Sequence, residues 1–210
     1  METALHMTTL RSAALTLGVA LSDAQLHACE RLLIELNDWN QRLNLTAIRT
    51  VEQQLTKHLL DSLSIQPYLH GTRIADVGTG AGFPGLPLAL INPDKQFVLI
   101  DSINKKLRFV EHAVQAMGLS NVTVLHTRAE QYQPEPRFDC VISRALSSLP
   151  TFIEWCGHLC ASDGRLLAMK GRYPQDELNS VPRDWHVVAV HSLHVPGLDE
   201  QRHVVELCRS

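Results

Sequence analysis

Ile74-Ala75-Asp76-Val77-Gly78-Thr79-Gly80-Ala81-Gly82-Phe83-Pro84-Gly85 joins a short apolar run to a glycine loop and then to an apolar stretch led by proline. Glycine reaches positive φ and carries no Cβ, so the chain can turn sharply off a strand and bring backbone N–H groups against a ligand. Pro84 suits the first turn of a helix, where a missing N–H costs nothing, and Leu86, Leu88, Ala89, Leu90 and Ile91 supply a buried helix surface. The segment reads as a strand-to-helix crossover.

Outward from this loop the same alternation continues. Short apolar runs near 73–77, 97–101, 122–126, 138–143, 165–170, 185–193 and 203–208 are separated by helical patterns, which predicts an α/β fold with a mostly parallel sheet covered on both faces. Leu107, Val110, Val114 and Met117 mark the helix after the second strand, closed by Gly118. Cys140-Val141-Ile142 reads as a fully buried central strand. The last two strands are joined by a Pro196-Gly197 turn region without a crossover helix, so they are expected to be antiparallel. Upstream, Ser22-Asp23-Ala24-Gln25 has capping-box spacing, and Leu26, Cys29, Leu33, Leu36, Trp39 or Asn40, and Leu43 follow at helical intervals. A second helix is expected from about 51 to 66, ended by Pro67. Residues 1–70 are therefore expected to form a helical N-terminal lobe and residues 71–210 a Rossmann-like domain.

A chain of 210 residues can bury a full core. Its net charge of −3 and pI near 6.4 argue against a protein that grips nucleic acid over its whole surface. Local basic clusters remain: Lys105, Lys106 and Arg108 at one helix start, and Lys170 with Arg172 after a strand, are RNA-binding candidates or simply solvated ends. Cys29, Cys140, Cys156, Cys160 and Cys208 are scattered and odd in number, which fits reduced thiols. Cys156-Gly157-His158-Leu159-Cys160 lies in an apolar helical pattern without a second ligand pair, so no metal is expected. No apolar stretch of ~18 residues and no export signal is visible, so the expected location is cytoplasmic, with no membrane partner.

Gly80, Gly82 and Gly85 match the G-x-G-x-x-G of dinucleotide folds, but Asp76 shifts the reading. Its carboxylate, at the strand end, can reach a cationic or hydroxylated part of a ligand. This Asp-x-Gly-x-Gly loop resembles motif I of the class I S-adenosylmethionine (SAM) methyltransferases, which have a seven-stranded, mostly parallel sheet. Ligands of open α/β sheets lie beyond the carboxyl ends of the strands, so strand-end residues come first. Asp101, roughly 20 residues after the loop, is expected to accept the ribose hydroxyls; the alternative is an N-cap for the next helix, a place Ser102 or Asn104 could take. Ala129 and Glu130, after the third strand, are the adenine-edge candidates. Arg144, ending the fourth, can anchor a carboxylate or phosphate, or pair with a helix acid. An Asn/Asp-Pro-Pro-aromatic motif and a Pro-Cys nucleophile are both absent. A ring nitrogen with a free lone pair requires neither, because positioning in a water-poor pocket suffices.

Trp39-Asn40, Asn44-Leu45-Thr46, His58-x-x-Asp61-Ser62, the glycine loop, Asp101-Ser102, Arg128-x-Glu130, Ser143-Arg144-Ala145 and Lys170-Gly171 resemble, in order and spacing, the bacterial RsmG (GidB) family over nearly the whole chain. The resemblance implies SAM as methyl donor, S-adenosylhomocysteine as product, and N7 methylation of one guanine of 16S ribosomal RNA, nucleotide 527 in the 530 loop. It also implies the small ribosomal subunit as partner, and cofactor contacts at Gly78, Phe83, Ala129, Glu130 and Arg144 in addition to Asp76, Gly80 and Asp101. Asn44, His58 and Asp61 are candidates for shaping the acceptor pocket, with helix packing as the alternative, in which His58 and Asp61, at i, i+3, simply hydrogen-bond, and no general base is expected. A small-molecule methyltransferase and a SAM-sensing, RNA-binding protein without catalysis stay open as other readings.

Overall fold

The computed structural model describes residues 2–144 and 147–210, with side chains from His6 onward. β1 (Arg73–Val77), β2 (Gln96–Asp101), β3 (Val122–His126), β4 (Phe138–Arg144), β5 (Cys160–Lys170), β6 (Trp185–Leu193) and β7 (Arg202–Arg209) form one sheet in the order β3-β2-β1-β4-β5-β7-β6. The first five strands pair in parallel, and β7 runs antiparallel to both β5 and β6. β5 begins earlier than the apolar pattern predicts, because Ser162 and Asp163 interrupt that pattern while pairing to β4 continues across a register shift between Phe138 and Cys140. The order reverses between β1 and β4, which opens a crevice at their carboxyl ends.

The helices are α1 (Glu2–Thr16), α2 (Asp23–Leu43), α3 (Val51–Gln54), α4 (Asp61–Leu63), α5 (Gly85–Ile91), α6 (Asn104–Met117), α7 (Leu149–Cys156) and α8 (Gln175–Leu178). The Ser22/Gln25 capping box starts α2: Gln25 N–H donates to Ser22 Oγ at 3.2 Å and Ser22 N–H to Gln25 Oε1 at 2.9 Å. A π-helical turn, Leu55–Leu60, links α3 to α4. This helix stops before Pro67, which instead lies in a separate 3-10 turn, Gln66–Tyr68. Ser64 Oγ donates to the Asp61 carbonyl at 2.7 Å, a local hydrogen bond that competes with helix continuation. α1 escaped the sequence reading because Met7, Leu10, Ala13, Ala14 and Leu15 wrap more than one face, and Leu15 is exposed.

Two apolar layers enclose the sheet. On one face, Leu10, Leu32, Leu36, Leu59 and Leu63 of the N-terminal helices pack with Leu86, Phe109 and Val110 over Ile74, Leu99, Cys140 and Ile142. On the other, Leu149, Phe152 and Ile153 of α7 cover Ala75, Val77, Ile100 and Val141, so successive strand residues serve opposite layers. All five cysteines are buried and unbridged. Among the described residues no group of His, Cys, Asp and Glu has metal-ligand geometry, and no helix is long and apolar enough to cross a membrane.

Candidate functional site

The glycine loop leaves β1 at the crevice, with Gly78, Gly80 and Gly82 all at positive φ. A Cβ at Gly82 would lie 2.3 Å from Leu86 Cδ1, and one at Gly85 2.7 Å from Asp76 Oδ2, so both positions require the missing side chain. Asp76 departs from its expected role. It is wholly buried, and its Oδ2 accepts the Thr79 hydroxyl at 2.6 Å and the Gly85 N–H at 2.9 Å, closing the loop from beneath rather than lining a cavity. Burial pushes its carboxyl up to about 6, and Oδ1 has no hydrogen-bond partner among the described residues. α5 starts at Gly85, whose otherwise unpaired first-turn N–H Asp76 accepts, and Pro84 occupies the N-cap instead of the first turn.

A cavity of about 370 Å³ opens over the carboxyl ends of β1 to β4, and Gly78, Asp101, Ala129, Glu130 and Arg144 meet in its wall. Asp101 accepts Gly80 N–H at 2.9 Å on Oδ2 and Ile103 N–H at 2.8 Å on Oδ1. Each oxygen keeps acceptor capacity for a ligand hydroxyl. Neither Ser102 nor Asn104 caps α6, whose N-cap is Ile103 without a side-chain bond. Gly80 spends its N–H on Asp101 and is absent from the wall. Ala129 is buried and Glu130 exposed, on the 3-10 turn Ala129–Gln131. Phe83 stacks on His58 at 4.5 Å, beneath the Arg144 guanidinium at 5.7 Å, so its ring is a floor for those two side chains and not part of the cavity surface. Trp155 of α7 also lines the cavity; its apolar helical setting in the sequence signals only core packing.

A second cavity, about 430 Å³, lies beside the first, and Arg144 belongs to both walls. His58 and Asp61 line it, with Ile48, Lys57, Met169, Lys170, Glu200 and Arg202. Arg144 Nη1 donates to Asp61 Oδ2 at 3.2 Å and to the Lys57 carbonyl at 2.9 Å, while Arg202 Nε donates to Asp61 Oδ1 at 3.1 Å. Asp61 therefore serves two arginines and not His58, the neighbour its i, i+3 spacing suggested. His58 Nε2 lies 3.0 Å from Thr46 Oγ1. Burial, then the charge of Arg144, pull its pKa down to about 4, so the ring is neutral at neutral pH.

Asn44 reaches neither cavity. It caps α2 in the left-handed conformation, φ 50, where asparagine is among the few residues tolerated. The buried asparagine of this segment is Asn40, whose amide clamps the Thr46 backbone through two 3.0 Å bonds and so sets the hydroxyl that meets His58. Of Trp39 and Asn40, the two residues the helical period allowed on the buried face, the structure buries Asn40. Among the basic candidates, Lys105, Arg108 and Arg172 are exposed, Lys106 lines the first cavity, and Lys170 is tied to Glu177 Oε2 at 2.8 Å. Ala145, of the Ser143-Arg144-Ala145 motif, lies outside the described residues.

A family model described as rRNA small subunit methyltransferase G (GidB) matches residues 25–205. The chain is 49% identical over 189 residues to the ribosomal RNA small subunit methyltransferase G of Aeromonas salmonicida, covering 90% of this chain and 91% of that protein. It is 48% identical over 198 residues to the same-named protein of Nitrosococcus oceani, covering 94% and 92%. Among solved structures, a SAM-dependent methyltransferase from Aquifex aeolicus is similar with a TM-score of 0.57 at 20% identity, over 74% of this chain and 92% of that one. TrmN from Thermus thermophilus gives 0.58 at 19%, over 74% and 53%. These likenesses bear on the fold, which is that of the class I methyltransferases, as the glycine loop and strand order predict. With the family match spanning most of the chain, the protein belongs to the rRNA small subunit methyltransferase G family.

Proposed function

We propose that the protein transfers a methyl group from SAM to N7 of a single guanine of 16S ribosomal RNA, nucleotide 527 in the 530 loop. The observation that carries this reading is Arg144, whose side chain lies in the walls of both cavities, so a donor in one and a base in the other would meet at the end of β4. The residues of the first cavity fit SAM. Asp101 offers two oriented oxygens to a ribose diol, and Ala129 with Glu130 offers a donor and an acceptor to an adenine edge. Gly78 leaves room for the backbone to approach, and Asp76 contributes by holding the loop in shape. An electrophilic methyl on a sulfonium is what SAM supplies when bound.

The chain's own task is then orientation and exclusion of water. Guanine N7 carries no proton, so no base has to remove one, and a neutral His58 adds no repulsion to the cationic product. We take residues 1–70 as the lobe that supplies His58 and Asp61 to the acceptor side, and 71–210 as the domain that binds the cofactor. Lys105, Lys106, Arg108, Lys170 and Arg172 would provide the local RNA contacts that the acidic chain lacks overall. A ribosomal substrate makes the working location cytoplasmic.

The test is incubation of the protein with labelled SAM and small subunits from cells lacking the modification, followed by mapping of the label. Label at the single 530-loop guanine N7 is expected. Measured SAM binding without label on subunits, free 16S RNA or assembly intermediates would overturn the reading.

A further inference from the structure

The wall of the second cavity is a continuous series of ion pairs. It starts at Arg144, passes through Asp61 and Arg202, and ends at Glu200 and Lys57. Of these five residues Arg144 alone also lines the first cavity, so Glu200 belongs to the acceptor side and not to the donor side. Ile48 and Met169 add apolar surface of the kind a flat base packs against.

The two acids of this wall differ in what they have left to give. The Asp61 side chain is 3% exposed and holds one guanidinium on each oxygen. The Glu200 side chain is 54% exposed, with Lys57 Nζ at 2.6 Å from Oε1 and Arg202 Nη2 at 3.0 Å from Oε2. These hydrogen bonds hold its pKa below the usual carboxylate value and fix its plane, and each oxygen still has a free lone pair. A guanine that turns N7 and O6 towards the donor turns N1–H and the N2 amino group the other way. Two adjacent parallel donors match an ionised carboxylate, whereas adenine and cytosine set one donor beside an acceptor, and uracil sets one donor between two acceptors.

Resting on the N7-methylation reading above, we propose that Glu200 selects guanine by accepting hydrogen bonds from N1–H and N2–H. Lys57 and Arg202 act as positioning residues that hold the carboxylate in place.

The test uses small subunits reconstituted with 16S rRNA carrying guanosine or inosine at the target position. Inosine keeps N7, O6 and N1–H and lacks only the N2 amino group. Wild-type kcat/KM is expected to fall about tenfold or more with inosine, the scale of losing half of a two-point base contact. Glu200→Gln, with a single acceptor, should lose about 10- to 100-fold on guanosine, and its guanosine-to-inosine ratio should approach one. Glu200→Asp keeps both acceptors and should stay near the wild-type ratio. The ratio does not depend on how much enzyme is active, and SAM binding by calorimetry should be unchanged in both variants. Equal ratios in wild type and Glu200→Gln, or equal shifts in the Gln and Asp variants, would overturn the role of Glu200 while leaving N7 transfer intact. Failure of the wild type to methylate N7 of guanosine would instead remove the reading on which this one stands.

Discussion

Asp61 Oδ2 and Arg144 Nη1 lie 3.2 Å apart and join the N-terminal helices to the end of β4, Asp61 in the wall of the second cavity and Arg144 in the walls of both. The other Asp61 oxygen accepts from Arg202 of β7, so one buried carboxylate orders two guanidiniums from β4 and β7, the strands that flank β5. Removing one partner of such a pair is costly because the remaining charges lose their counter-ion. Asp61→Ala should destabilise the protein by about 3 kcal/mol, the low end for a buried pair, since both arginines keep some exposure. Urea unfolding measures this. A loss below ~1 kcal/mol would mean that water replaces the carboxylate without penalty.

His58 makes stability depend on pH with a definite sign. Its folded-state pKa of about 4 lies below the ordinary 6.5, so between these values the unfolded chain binds a proton that the folded chain refuses. The stabilisation is complete above 6.5 and is lost as the pH falls towards and through 4. Asp76 works the other way, since its carboxyl is raised from 3.8 to about 6 and its penalty is relieved as pH falls through 6. Asp76 is common to wild type and His58→Gln and cancels in their comparison. From pH 7 to 5 the wild type should lose roughly 2 kcal/mol more than the variant. Parallel pH profiles would show that the folded ring protonates freely.

Asp101 and Gly82 should separate ligand contact from loop shape. Asp101→Ala removes the acceptor of Gly80 N–H and Ile103 N–H as well as the proposed ribose partner, and should weaken SAM binding at least tenfold by calorimetry. Gly82→Ala combines φ +86 with a Cβ 2.3 Å from Leu86, and should cost about 1–3 kcal/mol of stability as well as SAM affinity. Undiminished SAM affinity in Asp101→Ala would remove the ribose assignment.

The basic residues are not equivalent. Lys105 is exposed on α6, while Lys170 already donates to Glu177 Oε2 and to the Ser147 carbonyl. In salt titrations of binding to the small subunit, Lys105→Gln should flatten the plot of log affinity against log salt by up to about 0.9, and Lys170→Gln by clearly less. Equal flattening would mean that phosphate displaces Glu177.

Much of the fold could be read from local chain chemistry. Arg73–Val77 and Trp185–Leu193 match their apolar runs, and Ser22 with Gln25 closes the expected cap. Glycines 78, 80 and 82 take the positive φ that the loop demanded. Asp101, Ala129, Glu130 and Arg144 meet in one cavity because strand ends converge in any sheet of this topology. The structure departs from expectation where a polar residue had a choice of partners. Asp76 turned beneath its own loop, and Asn44 became a helix cap while Asn40 took the buried position.

Periodicity, capping and glycine conformation act over a few residues, and the sequence alone therefore determined the order of the strands along the chain and the glycine loop, while the family followed from the resemblance of its motifs. Which charges meet was decided only by the tertiary structure. Asp61 and Arg202 are 141 residues apart, and Lys57 and Glu200 are 143 apart. Ion pairing depends on distance and burial in space, and no local pattern records either until the N-terminal helices have packed onto the sheet.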